Sequence, residues 1–228
     1  MMYWIIIGGM SLIGMFVGGK LKSKFQKYSQ VPLRTGMSGR EVAEAMLRHY
    51  GIHDVRIVQG TGMLTDHYNP MTKTVSLSPH VFQGRNVAAA AVAAHECGHA
   101  VQHAKSYAWL KIRSALVPVV NLAARSQQWL FFAAIMALSS GFGGTLMLLT
   151  ILAFSITALF SFITLPVEFD ASRRALIWLD ETGVAQGAEY HGAKDALWWA
   201  AMTYVSAALS ALVMVLYLIL RFVGSNND

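Results

Sequence analysis

The stretch NVAAAAVAAHECGHAVQHA, residues 86–104, is rich in alanine and contains no proline. Because alanine has the highest helix propensity, this composition predicts one helix over the whole stretch. Within it, His95, Glu96 and His99 form an H-E-x-x-H sequence. Residues four apart share one face of a helix, so both imidazoles can reach a single Zn²⁺ at about 2.0–2.1 Å. Glu96 then lies close enough to act as the general base toward a zinc-activated water.

A catalytic zinc usually has a third protein ligand. His103 cannot supply it, because a helix rises about 1.5 Å per residue and places His103 about 12 Å from His95 along the axis. The alternative interpretation of the motif is a pair of surface histidines, His95 and His99, that bind no metal. Glu96 beside them argues against it, since an alanine-rich helix has little structural need for that carboxylate.

Among the later acidic residues, Glu168 is the best candidate for the third ligand. It follows Pro166, which favours the first turn of a new helix. Asp170 lies on a different helical face, so we expect it to orient a ligand or to pair with Arg173 or Arg174. The alternative is that the segment from Glu168 to Arg174 is a solvated charged cluster. The predicted zinc ligands are therefore His95, His99 and Glu168.

The composition of the 228-residue chain indicates a membrane protein. Apolar residues make up 55% and charged residues 13%, with a mean hydropathy of +0.44, whereas globular proteins carry roughly 25% charged residues. The net charge of +6 does not indicate nucleic acid, because the basic residues flank apolar segments instead of forming one basic face. Cys97 is the only cysteine, so no intrachain disulfide can form, and we expect this side chain to be buried rather than reactive.

Apolar runs predict four membrane spans. The first covers Tyr3 to Gly19; it lacks the basic start of a cleavable signal peptide. The uncharged run from Trp129 to Val167 is too long for one span, so we expect a helical hairpin that breaks at 141–144. The last span covers Ala200 to Phe222. The predicted segments are an anchor (1–19), a catalytic domain (20–112), a hairpin (113–165), a catalytic segment with the third ligand (166–198) and a final span (199–228).

Charge predicts the orientation of these spans. Lysines follow the first span directly, between Lys20 and Lys27, which places the following residues in the cytoplasm. The hairpin then crosses twice and returns Glu168 to the side of His99. Its first arm carries Pro118, Asn121 and Arg125, polar or irregular positions that we expect to face protein or water.

Residues 36–78 predict a small α+β region. Ser38 and Glu41 have the spacing of a capping box, and Gly51 is a suitable helix end. Ile52–Val58 is β-branched, and Thr72–Ser78 alternates polar and apolar residues after a turn at Asn69 and Pro70, so we expect two strands. As an exposed edge near the zinc, 72–78 could bind an extended peptide. The predicted fold is mainly α, with four transmembrane helices and a small α+β zincin-like catalytic domain.

Three runs carry a family resemblance: LTDHYNP (64–70), AAHECGHAVQ (93–102) and LPVEFDASRR (165–174). Over nearly its whole length the chain resembles the YugP-type neutral zinc metallopeptidases, a bacterial membrane family. The resemblance implies a zinc-dependent peptidase of the plasma membrane and roles for His95, Glu96 and His99. The chain is more loosely similar to HtpX-like membrane proteases, in which the third ligand begins an E-x-x-x-D pattern. Ser172 stands here at the last position of that pattern.

The sequence thus predicts a multi-pass, gluzincin-like zinc endopeptidase that acts on peptides or membrane proteins from the cytoplasmic side, and the resemblance implies the bacterial inner membrane as its location. The oxyanion that forms during peptide hydrolysis needs a hydrogen-bond donor. His67 and Tyr68 are the preferred candidates, ahead of Tyr190 and His191. The alternative for His67 and Tyr68 is a turn that fixes the next strand. The alternative function is a non-catalytic zinc-containing membrane scaffold or adaptor, which would have no need of Glu96 as a base. A transporter is weaker, because no internal repeat is present.

Overall fold

The computed structural model describes residues 2–62, 65–137 and 142–225. The chain is mainly helical and contains one small sheet. Its elements are α1 (Met2–Ser29), α2 (Gly39–His49), β1 (Arg56–Gln59), β2 (His67–Asn69), β3 (Thr74–Leu77), α3 (Pro79–Gln83), α4 (Val87–Ala104), α5 (Ala108–Met136), α6 (Gly143–Glu181) and α7 (Ala188–Ser225).

The capping box before α2 is confirmed. The Glu41 carboxylate accepts the Ser38 backbone N–H at 2.7 Å, and the Ser38 hydroxyl accepts the Glu41 backbone N–H at 3.3 Å. The two bonds satisfy backbone donors that a helix start leaves without partners. At the other end Gly51 takes φ +67°, a conformation that glycine adopts without steric cost.

The sheet has the strand order β1-β3-β2. Strand β3 pairs in parallel with β1 and antiparallel with β2. The prediction that Thr72–Ser78 forms an exposed edge is therefore wrong. Val75 and Leu77 are fully buried, so one face of this strand packs into the core. The strand is also paired on both sides, because it lies between β1 and β2. The predicted strand at 52–58 forms only from Arg56, and the edges of the sheet are β1 and β2.

Helix α4 confirms the helix predicted for 86–104. The side chain of Asn86 caps it by accepting the Ala89 backbone N–H at 2.9 Å. Its small alanines are almost all buried, so neighbouring elements approach its backbone closely. The core around α4 includes Val42 and Met46 of α2, Leu77 of β3, Val81 of α3, Leu179 of α6 and Ala193 of α7.

The chain forms two compact units. Unit 1 consists of Met1–Phe16, Ile112–Leu165 and Thr203–Asp228; unit 2 consists of Val17–Lys111 and Pro166–Met202. Unit 2 contains the sheet and the core around α4. In unit 1, Phe131 and Ala134 of α5 are buried together with Met147 of α6 and Leu218 of α7.

Three of the described helices, not four, are long and apolar enough to cross a membrane by themselves: α1, α6 and α7. The first hairpin arm is the exception, although it is a helix, α5. Its middle carries polar side chains at Asn121, Arg125 and Gln128, and these reduce its hydropathy. Part of the predicted break, Gly141, lies outside the described residues.

Helix α6 also corrects the local prediction around Glu168. A new helix was expected after Pro166, but α6 runs without interruption from Gly143 to Glu181. A proline removes one backbone donor from a helix, and a long helix that is held by its neighbours tolerates this loss. Glu168 therefore lies inside α6 and not at a helix start.

Candidate metal centre

His95, His99 and Glu168 lie together in unit 2, with their ligand atoms all within 4.8 Å of one another. The nearer carboxylate oxygen, Oε2 of Glu168, is 3.4 Å from Nε2 of His95 and 3.7 Å from Nε2 of His99. The two imidazoles come from successive turns of α4 and the carboxylate comes from α6. Oε2 of Glu168 thus faces both Nε2 atoms, with space for one metal ion between them.

These distances fit a zinc ion. Nitrogen and oxygen ligands bind Zn²⁺ at about 2.0–2.2 Å in tetrahedral geometry, so two ligand atoms of one ion lie about 3.4 Å apart. The two nitrogen–oxygen distances, 3.4 and 3.7 Å, agree with that separation. Two imidazoles and one carboxylate also form a known catalytic ligand set, which leaves a fourth position for water or substrate.

A glycine allows α6 to approach α4 this closely. A Cβ added at Gly98 would lie 2.6 Å from the backbone oxygen of Ala171 and 3.1 Å from its Cα. Gly98 stands between the two histidines, and Ala171 is one turn after Glu168. The contact therefore sets the distance between the helices at the height of the ligands.

Both imidazoles have a partner on their outer nitrogen. Nδ1 of His95 is 3.1 Å from the Ser172 hydroxyl, and Nδ1 of His99 is 3.0 Å from Oε1 of Gln102. An amide oxygen only accepts hydrogen bonds, so His99 carries its proton on Nδ1 and turns the lone pair of Nε2 toward Glu168. Outer bonds of this kind fix the tautomer and the ring orientation of metal-binding histidines.

Gln102 also connects α4 to α6. Its side chain is fully buried, and its amide nitrogen donates to the Val167 carbonyl and to the Asp170 carboxylate, both at 2.8 Å. Asp170 in turn accepts a 2.6 Å hydrogen bond from Nε of Arg174. Of the alternatives for Asp170, it pairs with Arg174 and reaches His99 through Gln102.

The centre is shielded from water. The Glu168 side chain is 2% exposed, and those of His99 and His95 are 9% and 13% exposed. Burial by itself lowers the pKa of His99, but the charge of the nearby Glu168 carboxylate outweighs it and holds the pKa above its ordinary value. A buried anion thus faces both imidazoles, an arrangement that also favours a bound cation.

Glu96 follows His95 on α4 and is 8% exposed. Successive residues of a helix point about 100° apart, so its carboxylate lies beside the ligand face and not on it. This position suits a base, which must reach a reacting group near the ion without occupying a ligand position.

The residues predicted to donate hydrogen bonds to the oxyanion make their own contacts outside the ligand cluster. His67 is exposed, and its Nδ1 is 2.8 Å from the Thr65 carbonyl oxygen, a local turn contact. The hydroxyl of Tyr68 is 2.7 Å from Nδ1 of His103. Burial raises the pKa of Tyr68 to about 12, so its hydroxyl keeps its proton at neutral pH. Tyr190 and His191 contact each other at the start of α7.

Gln102, Ser172 and Gly98 contribute to the centre but were not assigned to it from the sequence. Gln102 had a readable signal, since it stands three residues after His99 on the same helical face. Ser172 and Gly98 act across the contact between α4 and α6, which no local pattern reveals.

Known proteins resemble this chain over almost all of its length. A family described as "Putative neutral zinc metallopeptidase" matches residues 3–223. The protein named "Putative membrane protease YugP" of Bacillus subtilis (strain 168) is 40% identical over 209 residues, which cover 92% of this chain and 91% of the relative. No solved structure matches the chain.

Proposed function

Because the chain belongs to the family of neutral zinc metallopeptidases, we propose that it is a gluzincin-like membrane endopeptidase with Glu96 as its general base. The observation that carries the proposal is the cluster of His95, His99 and Glu168, whose spacing fits one zinc ion. The family implies zinc, and this cluster supplies its three protein ligands.

The residues around the cluster perform the steps of hydrolysis. When bound there, zinc polarises the scissile carbonyl and lowers the pKa of a water ligand to about 7. Glu96 accepts a proton from the attacking water and delivers it to the leaving amine. Gln102 and Ser172 keep the two imidazoles oriented throughout, and the low exposure of the site limits access of bulk water.

The peptide binds along an edge of the sheet, and β2 is the edge that we favour. Tyr68 of β2 contacts His103, which stands one turn after His99 on α4. The strand also brings the tyrosine hydroxyl, a hydrogen-bond donor, to this end of α4. Single proline substitutions at His67 and Asn69 test the edge, and full peptide cleavage by both variants excludes β2 from substrate binding.

The protein lies in the bacterial plasma membrane, with the metal centre on the cytoplasmic side. The membrane name of the relative and the helices α1, α6 and α7 support a membrane protein. We propose that α5 crosses together with α6 and α7, because its Phe131 and Ala134 are buried against them in unit 1. Topology reporters fused after residue 106 and after residue 137 should then report opposite sides, and the same side for both would exclude this crossing.

Replacement of Glu96 by glutamine tests catalysis directly. Glutamine keeps the size of the side chain but cannot accept the proton, so cleavage of casein or a peptide should fall by about 10²–10⁴-fold. The zinc content should stay at that of the wild type, since Glu96 is not a ligand. Glu181→Gln is the matched control, an exposed carboxylate in α6, and it should cleave normally. Zinc binding without any cleavage that depends on Glu96 would instead support the scaffold.

A further inference from the structure

Helix α5 presents an exposed seam with the period of a coiled coil. Side chains are exposed over most of α5 outside its packed face, and one row of them, at alternating intervals of three and four residues, contains the exposed polar residues of its middle. This is the spacing by which one helix packs along another. The middle of the seam is polar and its ends are apolar. Its members are Pro118, Asn121, Arg125, Gln128, Phe132 and Ile135.

The opposite face of α5 is the one packed inside unit 1. Ala123, Phe131 and Ala134 are 5%, 6% and 0% exposed. Gln127, on the same side, accepts a hydrogen bond from the Thr157 hydroxyl of α6 at 3.3 Å. The polar seam therefore points away from α6 and α7, and unit 1 itself leaves it uncovered.

Thr157 also gives the depth of the seam. Unit 1 contains the uncharged part of α6 from Gly143 to Leu165. At about 1.5 Å per residue, Thr157 lies about 21 Å from the first of these residues and about 12 Å from the last. With α5 crossing the bilayer beside α6 as proposed above, Arg125 lies about 3 Å nearer than Gln127 to the Leu165 end and about 9 Å from it, inside a bilayer core about 30 Å thick. An arginine that faces lipid inside the core is unfavourable, because its charge has no partner there.

The charge of Arg125 cannot be balanced from within unit 1. The sequence has no Asp or Glu between Glu96 and Glu168, and none in the described parts of the first and last segments of this unit. A second copy of the chain that packed along the same seam would add another arginine and no carboxylate from the described part of its unit 1. The seam therefore suits a different chain with a negative charge at the depth of Arg125.

We propose that the seam of α5 binds a transmembrane helix of another protein that carries a carboxylate at the depth of Arg125, about 9 Å inside the Leu165 end of the span. The guanidinium of Arg125 pairs with the carboxylate in bidentate geometry. Asn121 and Gln128, one turn to either side, add amide hydrogen bonds that fix the register of the two helices. Phe132 and Ile135 pack against the apolar part of the partner. Binding at this seam does not require peptidase activity.

A host helix tests the proposal. A single-span polyleucine helix with one aspartate about six residues inside its cytoplasmic end is compared with the same helix carrying asparagine there, each co-reconstituted with the full-length protein in phosphatidylcholine vesicles. Association is measured by energy transfer between labels on the two proteins. The aspartate helix should bind about 3- to 30-fold more tightly, the range expected for one polar contact between membrane helices. Arg125→Gln should abolish the difference, while Lys111→Gln, which removes an exposed charge at the start of α5, should preserve it.

A charge exchange separates direct pairing from damage to the fold. Arg125→Glu should lose the aspartate helix and gain a host helix with a lysine at the same position. Equal binding of the aspartate and asparagine helices would overturn the proposal, and so would a failure of the exchanged charges to associate. Energy transfer between two labelled copies of this chain that Arg125→Gln abolishes would also overturn it, since it would show that a second copy occupies the seam.

Discussion

Gly98→Ala should disrupt the metal centre without touching a ligand. The added methyl group would lie 2.6 Å from the backbone oxygen of Ala171, about 0.8 Å short of the 3.4 Å at which ordinary contact begins. The nearest atoms all belong to the Ala171 backbone, so no side chain can rotate away. Relief requires α6 to move from α4, and Glu168 moves with it.

The size of the shift decides the outcome. Metal sites tolerate displacements of about 0.2 Å from ideal ligand distances, whereas this contact demands a shift several times larger. Zinc affinity should fall by about 10- to 100-fold, the range for sites whose ligands lose their support, and overpacking should cost about 1–3 kcal/mol of stability. Affinity is measured by competition with a chromophoric chelator, and stability by thermal unfolding in detergent.

Two further variants test the reasoning behind this expectation. Gly144→Ala places a methyl group in open space and should keep wild-type affinity. Ala171→Gly, combined with Gly98→Ala, should not restore binding, because the clash is with the backbone and not with the methyl of Ala171. Wild-type zinc affinity in Gly98→Ala, or rescue by Ala171→Gly, would refute the argument.

The other predictions concern single groups. Gln102→Leu removes the partner of His99 and should lower zinc affinity by about 10- to 100-fold, measured by chelator competition; an equal loss in Gln30→Leu, an exposed glutamine, would contradict this. Cys97 is fully buried and burial raises the pKa of its thiol, so maleimide should label the native protein slowly and the unfolded protein fast; rapid native labelling would show that the site opens. Hydrogen bonds from Ser38 and Arg85 hold the pKa of Glu41 below its ordinary value. The stability they provide is therefore present above the unfolded value of about 4.3 and is lost as pH falls through the folded-state pKa. Thermal melts from pH 6 to 3 should show a smaller decline for Glu41→Gln than for wild type, and parallel declines would exclude this contribution.

Local signals predicted the local elements of this chain. The capping box at Ser38 and Glu41 and the alanine-rich run of 86–104 each specify a helix through contacts a few residues apart, and both helices form. The H-E-x-x-H spacing likewise fixes two ring nitrogens within one turn. Glu168, the predicted acidic ligand, lies beside them.

The features that differ from the predictions are determined by packing between residues far apart in the sequence. Pro166 lacks a backbone N–H and therefore favours a helix start, yet α6 continues through this residue because its neighbours hold the helix in place. Thr72–Ser78 has the alternation of a half-exposed strand, but the parallel pairing with β1 places it at the centre of the sheet. In α5, polar residues lower the mean hydropathy below that expected of a membrane span. These residues lie on one exposed face of the helix, which an average over the sequence does not show.

Ser172, which stands where the E-x-x-x-D pattern has an aspartate, supports the metal centre without adding a charge. Its hydroxyl contacts His95, and the amide of Gln102 contacts His99, so both imidazoles have neutral outer partners. Asp170 is the nearby carboxylate, but Arg174 binds it at 2.6 Å and balances its charge. Glu168 is then the one anionic ligand of the cluster. Because negative groups around a cation reduce its pull on electrons, neutral outer partners leave a bound ion more strongly polarising. The hydroxyl at 172 therefore retains the orientation of His95 while it avoids adding a second negative charge behind the ligands.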